Sequence, residues 1–377
     1  MPLYRNNMNN KMNKIKLPFN KRTLNHYELI LTENCNFRCK YCFDDSFSDR
    51  TSCGYDYVMS PDMIPDIVNF IEKTKDKNCR PSITFFGGEP TLNWDFIEKF
   101  IEYCKQNNYD YSYNMNTNGS TLTPKKIDFL VDNRFSLVVS LDGIKESHDS
   151  SRVYKGNKGT WDSIMKILPN AIGKFRSHNL PITSMMVVNK DTYKYLSKNY
   201  EFLISLGFKD VNILWCWEEK FTDEELDDIL ASLKDTFIVK RLPLWLDARR
   251  TLLSDRYNYQ NSSYCQTPQT SVTINCKGNI YFCHRLVPKM SSLEFNDNFG
   301  DIYNGYTNTE YLKFMSCRMQ GKHKEVSKIC SKCECYSFCK SGCIGSIRGN
   351  TGGYGIMDSL CKVQNVLLQF KKTWESR

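Results

Sequence analysis

Apolar residues fall in short runs over the first 220 positions, and the runs alternate between two periods. Tyr27-Glu28-Leu29-Ile30-Leu31-Thr32, Ser82 to Phe86, Tyr111 to Met115, Phe135 to Leu141, Ile182 to Val188 and Val211 to Leu214 are compact apolar stretches of strand length. Between them lie helical patterns: Pro61 to Glu72 opened by Ser60 as N-cap, Trp94 to Cys104 with Phe96, Ile97, Phe100 and Ile101 on one face, Pro124 to Val131, Trp161 to Ile172, and Tyr193 to Leu206. Six strands, each but the last followed by a helix, imply parallel βαβ units. Strands joined this way close into a barrel or partial barrel whose chemistry sits at their C-terminal ends.

After position 220 the pattern changes. Phe221 to Tyr257 reads as helical and charged, a bridge to a second unit. Thr270 to His284 alternates around Lys277-Gly278-Asn279, a hairpin signal that would carry Cys283 on its second strand. At 377 residues the chain exceeds one ordinary domain, and 41% apolar content suffices for a proper core.

Seventeen cysteines, an odd number in a chain too long for a small disulfide scaffold, read as metal ligands in a reducing cytoplasm. No apolar run is long enough for a membrane span and none follows the first Met as a secretory signal would, so a soluble, cytoplasmic protein with no membrane partner is expected. Net charge is +9, and the first 26 residues carry Arg5, Lys11, Lys14, Lys16, Lys21 and Arg22 without an acid. Such an arm is either a solvated, disordered tail or an electrostatic lure for an acidic partner such as a peptide leader. A nucleic-acid partner is not expected, since no recognisable module is present.

The candidate chemistry begins directly after the first strand. Cys35-Asn-Phe-Arg-Cys39-Lys-Tyr-Cys42-Phe43 spaces three thiols C-x3-C-x2-C, enough for three corners of a [4Fe–4S] cluster, whose fourth iron then stays open to a small molecule. A zinc site would want a fourth Cys or His close by in one of the usual paired spacings, but the next thiol is Cys53, eleven residues on, and no histidine follows until His148. Gly87-Gly88-Glu89-Pro90 ends the second strand, where paired glycines let backbone approach a ligand and Glu89 offers a carboxylate at the edge. Asn116-Thr117-Asn118-Gly119 ends the third, and Ser140-Leu-Asp142-Gly143 the fourth, followed by His148-Asp149-Ser-Ser-Arg152. Taken singly, each is an ordinary turn or cap.

In this order they resemble radical S-adenosylmethionine (SAM) enzymes. The resemblance implies that the open iron binds the amine and carboxylate of SAM, and that one electron cleaves a C–S bond to give a 5′-deoxyadenosyl radical. It also implies that Phe43, Gly87, Gly88, Glu89, Asn116, Asn118, Ser140, Asp142 and Arg152 surround SAM. Glu89 would stand in the motif that contacts the amino group, and Ser140 and Arg152 would lie near the carboxylate.

Further along, Cys265, Gly278 and Cys283, then Cys330-x2-Cys333-x5-Cys339-x3-Cys343, then Cys361 resemble the SPASM extension of such enzymes, which holds two auxiliary [4Fe–4S] clusters. By that resemblance Cys330, Cys333, Cys339 and Cys361 hold one cluster, and Cys265, Cys283 and Cys343 the other. Either Cys276 fills the remaining position or an open iron there binds substrate thiolate. Cys53, Cys79, Cys104, Cys216, Cys317 and Cys335 have no place in the motif and read as buried or partly buried free thiols. A pair of structural zinc knuckles is the rival reading of Cys330 to Cys343.

The expected fold class is therefore α/β, a partial (β/α)6 barrel of TIM type with a small Cys-rich SPASM domain. Its division would be a basic arm over 1–26, the barrel over 27–220, a helical bridge over 221–260 and the SPASM domain over 261–377. The resemblance implies an enzyme that takes hydrogen from a ribosomally made precursor peptide and installs a crosslink or similar bond, fed by a reductant such as flavodoxin or ferredoxin. An anaerobic sulfatase-maturating enzyme, which makes formylglycine, is the second reading. Chain length and the lack of a large N-terminal leader-binding domain favour it. The residue after Cys283 opposes it, because that family carries an aspartate base there and this chain has His284, then Arg285. His284 is a candidate proton acceptor, since an imidazole titrates near neutrality, or else a supporting or core histidine. A non-catalytic iron–sulfur scaffold or electron carrier is the third reading, opposed by the intact SAM motifs.

Overall fold

Six parallel strands run in chain order: β1 (His26–Thr32), β2 (Ser82–Gly87), β3 (Ser112–Thr117), β4 (Ser136–Ser140), β5 (Ile182–Val188) and β6 (Asp210–Trp215). Between them stand α1 (Ile64–Thr74), α2 (Trp94–Gln106), α3 (Pro124–Asp132), α4 (Lys145–Ser151), α5 (Trp161–Met165), α6 (Leu168–Ser177) and α7 (Leu196–Ser205). The computed structural model describes residues 24–43, 58–244, 252–253, 270–287, 297–319, 324–339 and 342–377. The basic arm up to position 23, Cys53 and Cys265 lie outside the described residues.

The local reasons are legible. Ser60 and Thr123 accept backbone N–H groups at helix starts and a proline follows each, the residue whose missing N–H costs nothing at a first turn. The outward-facing Ile83 and Phe85 of β2 are buried, and Phe85 meets Phe100 of α2 edge to face at 5.6 Å between centroids. The helix expected over Trp161 to Ile172 is two helices instead. Pro169 lies in the first turn of α6 and has no N–H to continue the ladder from α5, so the chain restarts there.

The sheet does not stop at the barrel. After α8 (Asp223–Lys234), whose Thr222 and Glu225 form a reciprocal cap, the chain returns as β7 (Ser271–Ile274), parallel to β1 on the side opposite β2. Antiparallel β8 (Asn279–Tyr281) follows, then the two-residue β9 (Gly300–Asp301) and β10 (Gly305–Tyr306), giving one ten-stranded sheet ordered β10-β9-β8-β7-β1-β2-β3-β4-β5-β6. The expected hairpin thus forms, with Gly278 in the left-handed region at φ 83°. Cys283 lies two residues past β8, at the start of a short turn rather than on the strand. The chain closes with the helix Asp358–Glu375, which buries Leu360, Val363, Leu367 and Phe370 and packs against α8. Among the described residues no helix is long and apolar enough to cross a membrane.

Candidate active site

At the C-terminal ends of the barrel strands lies a cavity of about 1290 Å³, open to solvent, walled on one side by Cys35, Cys39 and Cys42. The loop that carries them is tied down by main chain: Arg38 N donates to Val153 O at 2.6 Å and Lys40 N to Ser151 O at 2.9 Å. The Phe37 ring meets Tyr154 edge to face, and the Arg38 guanidinium donates to the Cys35 and Phe37 carbonyls. None of the three cysteines is in a disulfide. Cys35 Sγ accepts the Phe37 N–H at 3.4 Å, with the Asn118 amide 3.9 Å away. Burial pushes the Cys39 thiol up to about 12, so that without a metal it stays protonated, whereas a coordinating thiol is deprotonated outright. Three thiols on one wall with N–H donors aimed at sulfur fit an iron–sulfur cluster, whose potential such donors tune.

The glycines behind the cluster loop have a different reason from the one expected. A Cβ on Gly87 would stand 2.3 Å from the Thr32 carbonyl oxygen, and one on Gly88 2.3 Å from that of Asn34. They are glycines so that β2 can nest against the start of the loop, where Gly88 N donates to Thr32 O and Glu89 N to Asn34 O. Glu89 is not an edge carboxylate either. It is 1% exposed and accepts Thr91 N, Thr91 Oγ1, Thr117 Oγ1 and Asn118 N at 2.5 to 3.2 Å. Burial raises its pKa against those bonds, and the carboxylate acts as a bracket between β2 and β3. Asn118, so placed, donates to Asn36 Oδ1 at 2.8 Å and accepts from Ser120. Asn116 and Ser140 line the cavity as expected.

The opposite bracket is an ion pair. Asp142 is fully buried and receives Arg152 Nε at 2.9 Å and Nη2 at 3.1 Å, Tyr41 Oη at 2.7 Å and Val187 N at 2.9 Å. Asp142 therefore orients Arg152, and it is Arg152 that reaches the cavity wall. His148 is wired behind it, with Nδ1 accepting Asp142 N and Nε2 donating to Thr160 Oγ1, which donates on to Arg152 O. Burial drives the His148 pKa down to about 3, so the ring is neutral and structural.

The same cavity is lined by Phe43, Phe86, Glu218, His284 and Arg285. His284 stacks on Phe86 at 4.5 Å, and its Nδ1 is 3.0 Å from Glu28 Oε2. Glu28 also accepts Thr273 Oγ1, and its pKa is lowered: burial opposes, and His284 beside it prevails. Arg285 pairs with Glu218 at 2.5 Å and lies 4.7 Å over the Phe43 ring. Glu28, Tyr41 and Glu218 were not singled out from sequence. Glu28 had a signal, a carboxylate inside an apolar strand, and Glu218 another, its place just past the end of β6. Tyr41 had none.

The remaining cysteines divide. Cys283 and Cys343 both lie within electrostatic reach of Arg285, so the structure brings these two together. Cys276 does not join them. It is buried at the turn of the β7–β8 hairpin with Sγ 3.5 Å from Glu33 Oε1. Cys283 is four residues beyond Asn279 toward the other end, roughly 13 Å along a strand. Of the two alternatives at that site, this placement gives no support to Cys276 as the remaining ligand. Cys330, Cys333, Cys339 and Cys361 do converge, around a second cavity of about 390 Å³. Among the described residues no three His, Cys, Asp or Glu side chains gather closely enough for a single metal ion.

Comparison with known proteins adds to this geometry. The family model of the radical SAM superfamily matches residues 29–203. The chain is 27% identical to the cysteine-type anaerobic sulfatase-maturating enzyme of Clostridium novyi (strain NT) over 333 residues, 83% of this chain and 85% of that protein. It is 25% identical to the radical SAM cyclopropyl synthase of Paramaledivibacter caminithermalis over 387 aligned residues, 97% of this chain and 77% of the other. Among solved structures, native anSMEcpe with bound AdoMet and Cp18Cys peptide shares the fold at a TM-score of 0.70 and 21% identity, covering 93% of this chain and 97% of that one.

Proposed function

We propose, from the match of residues 29–203 to the radical SAM superfamily model, that the protein is a cytoplasmic peptide-modifying enzyme that crosslinks or otherwise matures a ribosomally made precursor. One observation carries the reading. A single cavity is lined both by the three thiols of the C-x3-C-x2-C loop and by the charged and aromatic side chains of Phe43, Phe86, Glu218, His284 and Arg285. Cys35, Cys39 and Cys42 would hold a [4Fe–4S] cluster that, together with SAM and one electron from a flavodoxin or ferredoxin, would supply the hydrogen-abstracting radical chemistry.

The chain's own residues orient that chemistry. Gly87, Gly88, Asn116, Asn118 and Ser140 bound the SAM side, with Arg152, held by Asp142, as the cation for its carboxylate. His284, backed by Glu28, faces the substrate side as a group able to accept the proton released after abstraction. The cysteine pockets suit auxiliary clusters: Cys330, Cys333, Cys339 and Cys361 surround a cavity rather than a point, which favours a cluster over a zinc ion. Cys283 and Cys343 with Cys265 are the ligands of a second. The solved relative whose name includes a bound peptide supports a peptide as substrate class.

Similarity to the sulfatase-maturating enzyme over most of both chains favours formylglycine formation as a second reading. The test is an anaerobic reaction with SAM, dithionite and two peptides, one from a short reading frame beside the gene and one a cysteine-containing sulfatase segment, followed by mass spectrometry. Loss of two hydrogens with sulfur retained in the first peptide supports the crosslinking reading. Exchange of sulfur for oxygen together with loss of two hydrogens in the second, with the first unchanged, replaces it with the sulfatase reading.

A further inference from the structure

The smaller cavity holds one thiol more than a four-iron cluster takes. Cys330, Cys333, Cys335, Cys339 and Cys361 all line it, although spacing alone placed only four of them in a ligand set. Cys335 is 2% exposed, more buried than Cys330 at 8% or Cys339 at 6%, while Cys333 is exposed. Cys335 and Cys333 are within electrostatic reach of one another, and Cys339 feels Cys361, Cys335, Cys330 and Cys333 together. The Cys335 thiol donates to Asn365 Oδ1 at 2.8 Å. Asn365 stands one helical turn past Cys361 on the helix Asp358–Glu375, so Cys335 is tethered to the helix face that presents Cys361.

We propose that this is a five-thiol cluster pocket in which Cys335 is a standby ligand that replaces Cys333 at one iron. The proposal rests on the reading that these cysteines hold an iron–sulfur cluster. Cys333 is the corner that solvent and oxidants reach first, and a thiolate lost there leaves an iron open to hydrolysis. The buried thiol two residues away fills the position with only a local turn to move, because Tyr336 N bonds Cys333 O and Cys339 N bonds Cys335 O on either side of it. The exchange moves no electrons. Cys335 gives its proton to water as it binds iron, and the departing Cys333 sulfur takes one up.

The experiment uses the full chain with Cys35, Cys39 and Cys42 changed to alanine, so that only auxiliary iron is counted. Cys333→Ser, Cys335→Ser, the double variant and Cys339→Ser are reconstituted anaerobically, and iron, sulfide and the electron paramagnetic resonance of the reduced clusters are measured. The expected result is full iron in each of Cys333→Ser and Cys335→Ser, a shifted resonance in Cys333→Ser only, and loss of about four irons per chain in the double variant and in Cys339→Ser. Iron loss in Cys333→Ser equal to that in Cys339→Ser, with Cys335→Ser unchanged, overturns the standby role and leaves the cluster reading intact. An iron count that Cys339→Ser does not lower overturns both. Serine keeps the Asn365 hydrogen bond, so a loss confined to Cys335→Ser reports an obligatory ligand and also counts against the proposal.

Discussion

Around Cys39 the neighbouring polar groups already have protein partners. Asp142 holds Arg152 and Tyr41, Glu89 holds Thr91, Thr117 and Asn118, and the loop's own N–H groups reach the carbonyls of Ser151 and Val153. Around Cys339 the wall is thiols, Tyr336, Ile347, Ile356, Met357, Leu360 and Gln364; Leu360, Cys361 and Gln364 stand on the long helix Asp358–Glu375, but the rest lies on or beside helices of seven (Lys324–Cys330), four (Tyr336–Cys339) and eight (Ile344–Thr351) residues. Segments that short are not stable alone. The first sulfur site is built by the sheet, whereas the second, on the proposed cluster reading, would depend for its order on the group it holds, since metal binding then becomes folding energy.

The largest effect should separate the two sites. Cys39→Ser is expected to leave residues 324–361 as resistant to limited proteolysis as in the parent, while Cys339→Ser speeds their cleavage by ~10-fold or more, since it removes the group that orders them. Equal protection in both variants would erase the contrast. Next comes Asp142→Asn, which leaves Arg152 buried beside a neutral partner. Breaking such a pair costs about 3–5 kcal/mol, read as a lower urea midpoint of the barrel. A loss under about 1 kcal/mol would mean that the ion pair is not what holds this wall.

Gly88→Ala should cost about 1–3 kcal/mol through the clash with Asn34, and should weaken iron retention at the Cys35 loop while the auxiliary iron stays. Unchanged retention would show that the loop can shift freely. Smallest is a pH effect. His148 stays neutral in the fold down to about 3, whereas in the unfolded chain it protonates below the ordinary imidazole value of about 6.5. The unfolded state therefore binds the extra proton, and stability falls as pH drops from 6.5 toward 3. His148→Gln should make that acid-side fall shallower by about 1.4 kcal/mol per pH unit. An unchanged slope in thermal melts would place the charge penalty elsewhere.

The sheet strands and the C-x3-C-x2-C loop were legible because each rests on local pattern: apolar runs of strand length, and three thiols within eight residues. What was not legible depends on contacts far apart in the chain. Glu28 meets His284 across 256 positions, and Glu89 is buried by Thr117 and Asn118 nearly thirty residues on. Gly87 and Gly88 announced a close approach, but not that the backbone of Thr32 and Asn34 takes part in it. The continuation of the barrel sheet into β7 was hidden for the same reason, since parallel pairing of Glu28 with Thr273 leaves no trace in either segment alone. Cys335 was passed over because spacing selects four thiols and only folding shows a fifth in the same wall.

The most direct measurement is 5′-deoxyadenosine formed from SAM and dithionite by the anaerobically reconstituted protein, beside a Cys35→Ala/Cys39→Ala/Cys42→Ala variant with a parent-like melting temperature. The account predicts deoxyadenosine from the parent and none from the variant. An iron-loaded parent that makes none, or a variant that makes as much, would contradict the assignment of radical initiation to the barrel cavity.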